Sequence, residues 1–176
     1  MASLQRSDVV ALARRRLLEA GQAPADLIGS VLADSWQRSL AAGLDPLAVV
    51  AELPHATSAE LARARDRQRE LIDHALPALA YLHAQTRDTG SVILLANAEG
   101  MLLQACGDAE FLDRAARVHL APGASWHEAH RGTNAVGTAL AMRGPSVVTG
   151  GEHYLDCNGF LTCAAAPISD SRGELL

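Results

Sequence analysis

At Gly90 the sequence changes character, and that change constrains the fold more than any other feature. From Ser3 to His83 it is dense in alanine, leucine and arginine, all good helix formers. After Gly90 it breaks into short apolar runs separated by turn residues, the pattern of strands. A chain built this way is α+β, with a helical region first and an antiparallel sheet covered by helices second.

The helical half can be parsed by its start and stop residues. A first helix opens near Ser7-Asp8, whose short polar side chains cap free backbone N–H groups, and ends at Gly21. A second runs from Asp26 to Gly43, with Ile28, Leu32, Trp36 and Leu40 at four-residue spacing and Val31 beside them. That narrow stripe needs a partner, either a second copy of the chain or the sheet. A third, long helix spans Ser58 to Gln85. Leu61, Ala64, Leu71, Ala75 and Leu79 mark its apolar face, and Pro77 should kink or break it. The Arg63, Arg65, Arg67, Arg69 run is interleaved with Asp66 and Glu70, which reads as a solvated face and not a nucleic-acid site.

In the second half, Ser91–Ala96 and Met101–Ala105 flank the turn residues Asn97-Ala98-Glu99-Gly100 and should form an antiparallel hairpin. A helix follows over Glu110–His119, and another over Asn134–Met142, capped by Thr133 or Asn134. Ser146–Thr149 and Phe160–Ala166 are the next strands, joined by a glycine-bounded loop from Gly150 to Gly159. Glu174–Leu176 should begin a fifth strand after the turn Asp170–Gly173.

Composition removes several function classes. The 176 residues carry a formal net charge of -5, which argues against an electrostatic nucleic-acid footprint on this chain. All fifteen basic residues are arginine, so a phosphate-gripping lysine of the nucleotide-binding loop type has no candidate. The three cysteines, Cys106, Cys157 and Cys163, form no disulfide framework and fit a reducing cytoplasm. No apolar run approaches a membrane span, and the first ten residues lack a secretion signal.

Four stretches, taken in order, resemble the GAF sensor domain of bacterial activators of the acetoin-catabolism-regulator (AcoR) type. They are Ser35–Ser39 with Gly43–Pro46, Gly90–Leu95 with Ala98-Glu99-Gly100, Trp126-x-Glu128 leading into Gly132–Leu140, and Gly151–Asn158 with Phe160–Pro167. The resemblance implies a GAF-like antiparallel sheet flanked by helices and preceded by an N-terminal helical region. It divides the chain into residues 1–57, a connecting helix over 58–88 and a sensor domain over 89–176. It further implies a cytoplasmic signal receiver, not an enzyme, with no cofactor and no membrane contact. Such a domain binds a small organic effector and acts as a homodimer. DNA and sigma-54 RNA polymerase are reached only through ATPase and helix-turn-helix domains that lie outside this chain. The family pattern continues past Leu176, so the chain is expected to be a piece of a longer regulator.

The candidate ligand-binding residues are Trp126, Glu128, Asn134, His153, Tyr154, Phe160 and Thr162. Each has a structural alternative. Trp126 is a core plug or a ligand-facing wall, and its indole N–H needs a partner either way. Glu128 is a buried acceptor for groups near Thr133 and Asn134, or a ligand contact. Asn134 is a helix cap first. His153 and Tyr154 sit in the loop expected to cover the sheet. Phe160 and Thr162 alternate with Leu161 and Cys163, so one of the two pairs faces a cavity. His127-Glu128-Ala129-His130 misses the metalloprotease spacing by one residue, since its histidines are three apart. A zinc site from His127, His130, His153 and Cys157 lacks a closely spaced cysteine pair, and no catalytic or metal residue is assigned. Two rival readings stay open: a ligand-free dimerisation scaffold, and a cysteine-based GAF reductase.

Overall fold

The computed structural model describes residues 5–49 and 53–176. They fall into two compact units, one from the segments Met1–Val49 and His127–Pro167, the other from Val50–Trp126 and Ile168–Leu176.

In the first unit, α1 (Arg6–Ala20) begins and ends where the sequence predicts, with Gly21 closing it. The expected second helix is two: α2 (Ala25–Ile28) and α3 (Ser30–Ala41). Gly29 separates them with φ 82° and ψ 157°, a conformation that a residue with a Cβ rarely adopts. The second segment adds α7 (Glu128–Arg131), α8 (Ala135–Met142) and an antiparallel pair of strands. That pair joins β3 (Ser146–Thr149) to β4 (Thr162–Ala165), with Ser146 opposite Ala165 and Thr149 opposite Thr162. The connection contains two short 3-10 turns, Gly150–Glu152 and Asp156–Asn158. β4 is shorter than expected because Phe160 and Leu161 still belong to this connection: Gly150 N–H donates to Leu161 O and Leu161 N–H to Asn158 O. α8 packs on both strands and α3 packs on α7.

In the second unit, α4 (Ser58–Arg67) and α5 (Arg69–Gln85) replace the single long helix. Thr57 caps α4 through a reciprocal pairing with Glu60. The break lies at Gln68 (φ −103°, ψ 23°), and α5 runs through Pro77. A proline inside a helix forfeits one hydrogen bond, and here the packed apolar stripe carries the helix past it. Ala64, Leu71, Ile72 and Leu79 cluster with Leu95 of β1 (Val92–Ala96) and Leu103 of β2 (Leu102–Gly107). β1 and β2 form the expected hairpin, Val92 opposite Gly107, with a bulge between Leu95 and Ala96. α6 (Ala109–Ala116) follows.

The junction at Gly90 is fixed by one carboxylate. Asp108 accepts from the N–H groups of Gly90 (2.8 Å), Asp88 (3.2 Å) and Ser91 (3.3 Å). Among the described residues the strands pair as two two-stranded sheets. The expected fifth strand reduces to an isolated bridge between Ser169 and Leu175, because the Asp170 carboxylate accepts from Arg172 N–H (2.8 Å) and Glu174 N–H (3.0 Å) and folds the segment into a turn. Arg65 spends its guanidinium on Leu103 O (2.9 Å) and Arg69 pairs with Asp66 (3.2 Å), as a structural and solvated arginine run would. Among the described residues, no helix is long and apolar enough to cross a membrane.

Candidate functional site

The first unit holds a buried polar network that runs from α3 to α7 and α8. Ser35, Arg38 and Ser39 occupy i, i+3 and i+4 on α3 and so project from one face. Glu128, the first residue of α7, takes bonds from that face. Arg38 Nε donates to Oε2 (2.6 Å) and Nη2 to Oε1 (3.1 Å), while Ser35 Oγ (2.6 Å) and Thr138 Oγ1 (2.7 Å) donate to Oε1. Ser39 Oγ donates to Ser35 O (2.8 Å), and Ser35 Oγ lies 2.7 Å from Thr133 Oγ1. Burial alone would raise the Glu128 carboxyl, but the hydrogen bonds from Arg38, Ser35 and Thr138 outweigh it and hold it below the usual carboxylate range. The same contact to Glu128 raises Arg38.

A second cluster fixes the loop between β3 and β4. Arg14 on α1 donates from Nη1 to Gly151 O (3.2 Å) and His153 O (2.8 Å), and from Nη2 to Tyr154 O, and also pairs with Asp156. Arg6 Nε donates to Glu152 Oε1 (3.0 Å), whose other oxygen accepts from Thr149 N–H (2.9 Å). Trp36 Nε1 donates to Glu152 O (2.8 Å), Tyr154 Oη to Leu44 O (3.1 Å), and Asp156 N–H to Pro46 O (2.9 Å). Trp36 is 1% exposed, so it packs inside this unit and supplies no dimer contact.

The residues expected to bind ligand take distinct places. Asn134 is the cap of α8: Oδ1 accepts from Gly137 N–H (2.9 Å) and Nδ2 donates to Gly132 O (2.8 Å). Tyr154 is buried against Gly132, where an added Cβ would stand 2.5 Å from Tyr154 Cβ at φ +62°. His153 is fully buried, with Nδ1 3.0 Å from Gly150 O, and burial lowers its imidazole. Phe160 and Thr162 lie on the exposed side of their segment, while Leu161 is buried and Cys163 half-buried. Trp126 belongs to the second unit, buried at 1% exposure, with its indole N–H donating to His119 O (3.0 Å). Apart from Trp126, the candidates are brought into one unit. A surface recess of about 460 Å³ borders Arg16, Ala20 and Gln22–Asp26, and none of the candidates lines it.

None of Ser35, Arg38, Thr133, Thr138, Arg14 and Asn158 is among the ligand-binding candidates read from the sequence. The polar i, i+3, i+4 face at Ser35, Arg38 and Ser39 was the available signal, because a helix carrying both an apolar stripe and a compact polar cluster has two buried sides. His127 caps α7, its Nδ1 accepting from Ala129 N–H (3.1 Å). Among the described residues, no three His, Cys, Asp or Glu side chains converge to hold a metal. Burial raises the Cys157 thiol and pushes Cys163 up to about 11, the opposite of what a nucleophilic thiol requires.

The family model of the MimR N-terminal domain matches residues 7–174. The chain belongs to the MimR N-terminal domain family. It is 34% identical over 159 residues to the propane 2-monooxygenase operon transcriptional activator MimR of Mycolicibacterium smegmatis, covering 90% of this chain and 26% of that protein. The acetoin catabolism regulatory protein of Cupriavidus necator is 33% identical over 150 residues (83% and 22%). The acetoin dehydrogenase operon transcriptional activator AcoR of Bacillus subtilis is 31% identical over 145 residues (82% and 24%). The chain spans about a quarter of the length of these relatives. These are transcriptional regulators, which supports a regulatory role and points away from an enzyme. A solved structure, the E. coli DhaR(N)–DhaL complex, matches with a TM-score of 0.77 at 18% identity, over 82% of this chain and 49% of that one. That likeness agrees with the GAF-like α+β fold expected from the motifs.

Proposed function

We propose that this chain is the signal-receiving domain of a sigma-54-dependent transcriptional regulator and binds a small organic effector. ATPase and DNA-binding domains of the same protein then carry the response, in the cytoplasm and as a homodimer. The observation that carries this reading is the family match over residues 7–174, together with the anchored β3–β4 loop and its buried His153. Relatives named for acetoin and propane metabolism make small, weakly polar carbon compounds the first class to test. Binding regulates only if the effector favours one of two arrangements of the chain.

A second reading, a dimerisation scaffold without ligand, draws on the exposed Leu76, Tyr81 and Leu82 of α5. Thermal shift against small alcohols, diols, ketones and simple aromatics separates the two. A ligand at a hundredfold over its Kd adds about 2.7 kcal/mol to stability. The sensor reading expects at least one such compound; a uniformly flat response favours the scaffold.

A further inference from the structure

Helix α5 has two unlike apolar sides. Leu71, Ile72, Ala75 and Leu79 pack into the core of the second unit. On the opposite side Glu70, Asp73, Pro77, Ala80, Tyr81 and Ala84 follow one another at three- and four-residue steps, and all are exposed. Tyr81 is 65% exposed, and Leu76, which flanks this row, 46%. From Ala75 to Gln85 the helix carries no aspartate, glutamate, lysine or arginine. The outer face of a surface helix is ordinarily charged, so an uncharged outer face about three turns long marks a contact surface. Charge returns at its two ends with opposite sign. Glu70 and Asp73 stand before the uncharged stretch and Arg87 after it, all exposed. Arg69 beside Glu70 pairs with Asp66, and Asp88 lies next to Arg87.

We infer that this face is where two copies of the chain meet, with their α5 helices antiparallel. The charges set the sense. A two-fold axis at the midpoint of the row, between Ala78 and Leu79, lays Pro77 against Ala80 of the second copy and Leu76 against its Tyr81. The same axis brings Glu70 to Arg87 of the second copy and Arg69 to its Asp88, and symmetry repeats both pairs. Parallel helices in register would instead set Glu70, Asp73 and Arg87 each against its own copy, like charge on like. Pro77, Ala80 and Ala84 are small enough to let the two backbones approach, with Leu76 and Tyr81 filling the flanks. One helix face buries less than the about 800 Å² per partner of a standard interface, so the dimer should be weak and dissociate on dilution. This contact rests on the homodimer common to both functional readings and fixes its face and its sense.

The test is sedimentation equilibrium of the whole chain at low salt, from about 5 to about 500 μM, with melting temperatures taken on the dilute monomer. Tyr81→Asp and Ala84→Arg, both at exposed positions, should each weaken association at least about tenfold and leave the melting temperature unchanged. Glu70→Arg and Arg87→Glu should each weaken it about threefold or more, and the two changes together should restore it. Glu70 and Arg87 of one chain stand about 25 Å apart along the helix, so such a rescue reports contact between copies. A dimer indifferent to the Tyr81 and Ala84 variants overturns this face, and the homodimer then stands on another. Weakening by the single charge reversals without rescue overturns the antiparallel sense. A monomer at every concentration overturns the contact and the homodimer together, and leaves the row to a partner of another kind.

Discussion

Arg38 meets Glu128 edge to edge, Nε to Oε2 at 2.6 Å and Nη2 to Oε1 at 3.1 Å, joining α3 to the first turn of α7. The two residues are ninety positions apart in sequence. The Glu128 side chain is almost fully covered and the Arg38 side chain is 43% exposed, so the pair is anchored on its acidic side. Arg38→Leu leaves Glu128 with two hydroxyl donors and no cation. Allowing for solvent at the arginine, it should cost about 1–3 kcal/mol, read from chemical denaturation. A Ser35→Ala, Arg38→Leu double-mutant cycle should show coupling, because both side chains bond the same carboxylate.

The same carboxylate predicts an acid response. Its folded-state pKa is depressed, so its contribution is complete above the unfolded value and is lost as pH falls through the folded one. In Glu128→Gln, urea midpoints should be lower than wild type at pH 7. The gap should begin to close as pH falls through the ordinary carboxylate range, about 4, and go on closing below it, through the depressed folded value.

Gly132→Ala should be far worse than its size suggests. A Cβ there would overlap Tyr154, and the backbone at φ +62° disfavours any side chain. Together these should cost about 2–4 kcal/mol, visible as a lowered melting temperature. Gly144→Ala, where the nearest atom is 3.8 Å away, serves as the control and should change little.

Trp126→Ala should act on folding. The ring is buried and its N–H is already bonded to His119 O, so truncation should cost about 3–5 kcal/mol. Trp126→Phe, which keeps most of the volume and gives up only the bond to His119 O, should cost less.

Cys163 should resist alkylation. With its thiol pushed up to about 11, only about one molecule in a thousand carries the thiolate at pH 8, and iodoacetamide labelling should run about a hundredfold slower than for free cysteine. Fast labelling of Cys163 in the folded chain would restore the reductase reading.

The elements that local chemistry specifies are legible along the chain. Thr57 with Glu60, Asn134 with Gly137, and the residues between β1 and β2 set their own geometry within a few positions. The departures among the helices lie where packing overrides or hides the local signal. Gln68 is an ordinary helix residue, and nothing local marks the break there. Pro77 carries a strong local signal, yet α5 keeps its helical path on the shared apolar cluster. Gly29 is a stop signal hidden by the continuous stripe around it. In the candidate site, His153 and Tyr154 are visible through motif likeness. Arg14 is not, and the polar face of α3 marks Arg38 without naming its partner, because both arginines bond residues ninety or more positions away.

The first unit is assembled from segments on either side of residues 50–126. Its folding order follows from that interruption. During synthesis α1 and α3 emerge long before Glu128, Glu152 and Tyr154 exist to bond them, so Ser35, Trp36 and Arg14 wait in solvent until the second segment arrives. Closing that intervening stretch adds chain entropy that only the completed unit offsets. A fragment cut after Val49, or one beginning beyond it, therefore separates Arg6, Arg14, Ser35, Trp36 and Arg38 from their acceptors, and neither piece should fold this unit alone.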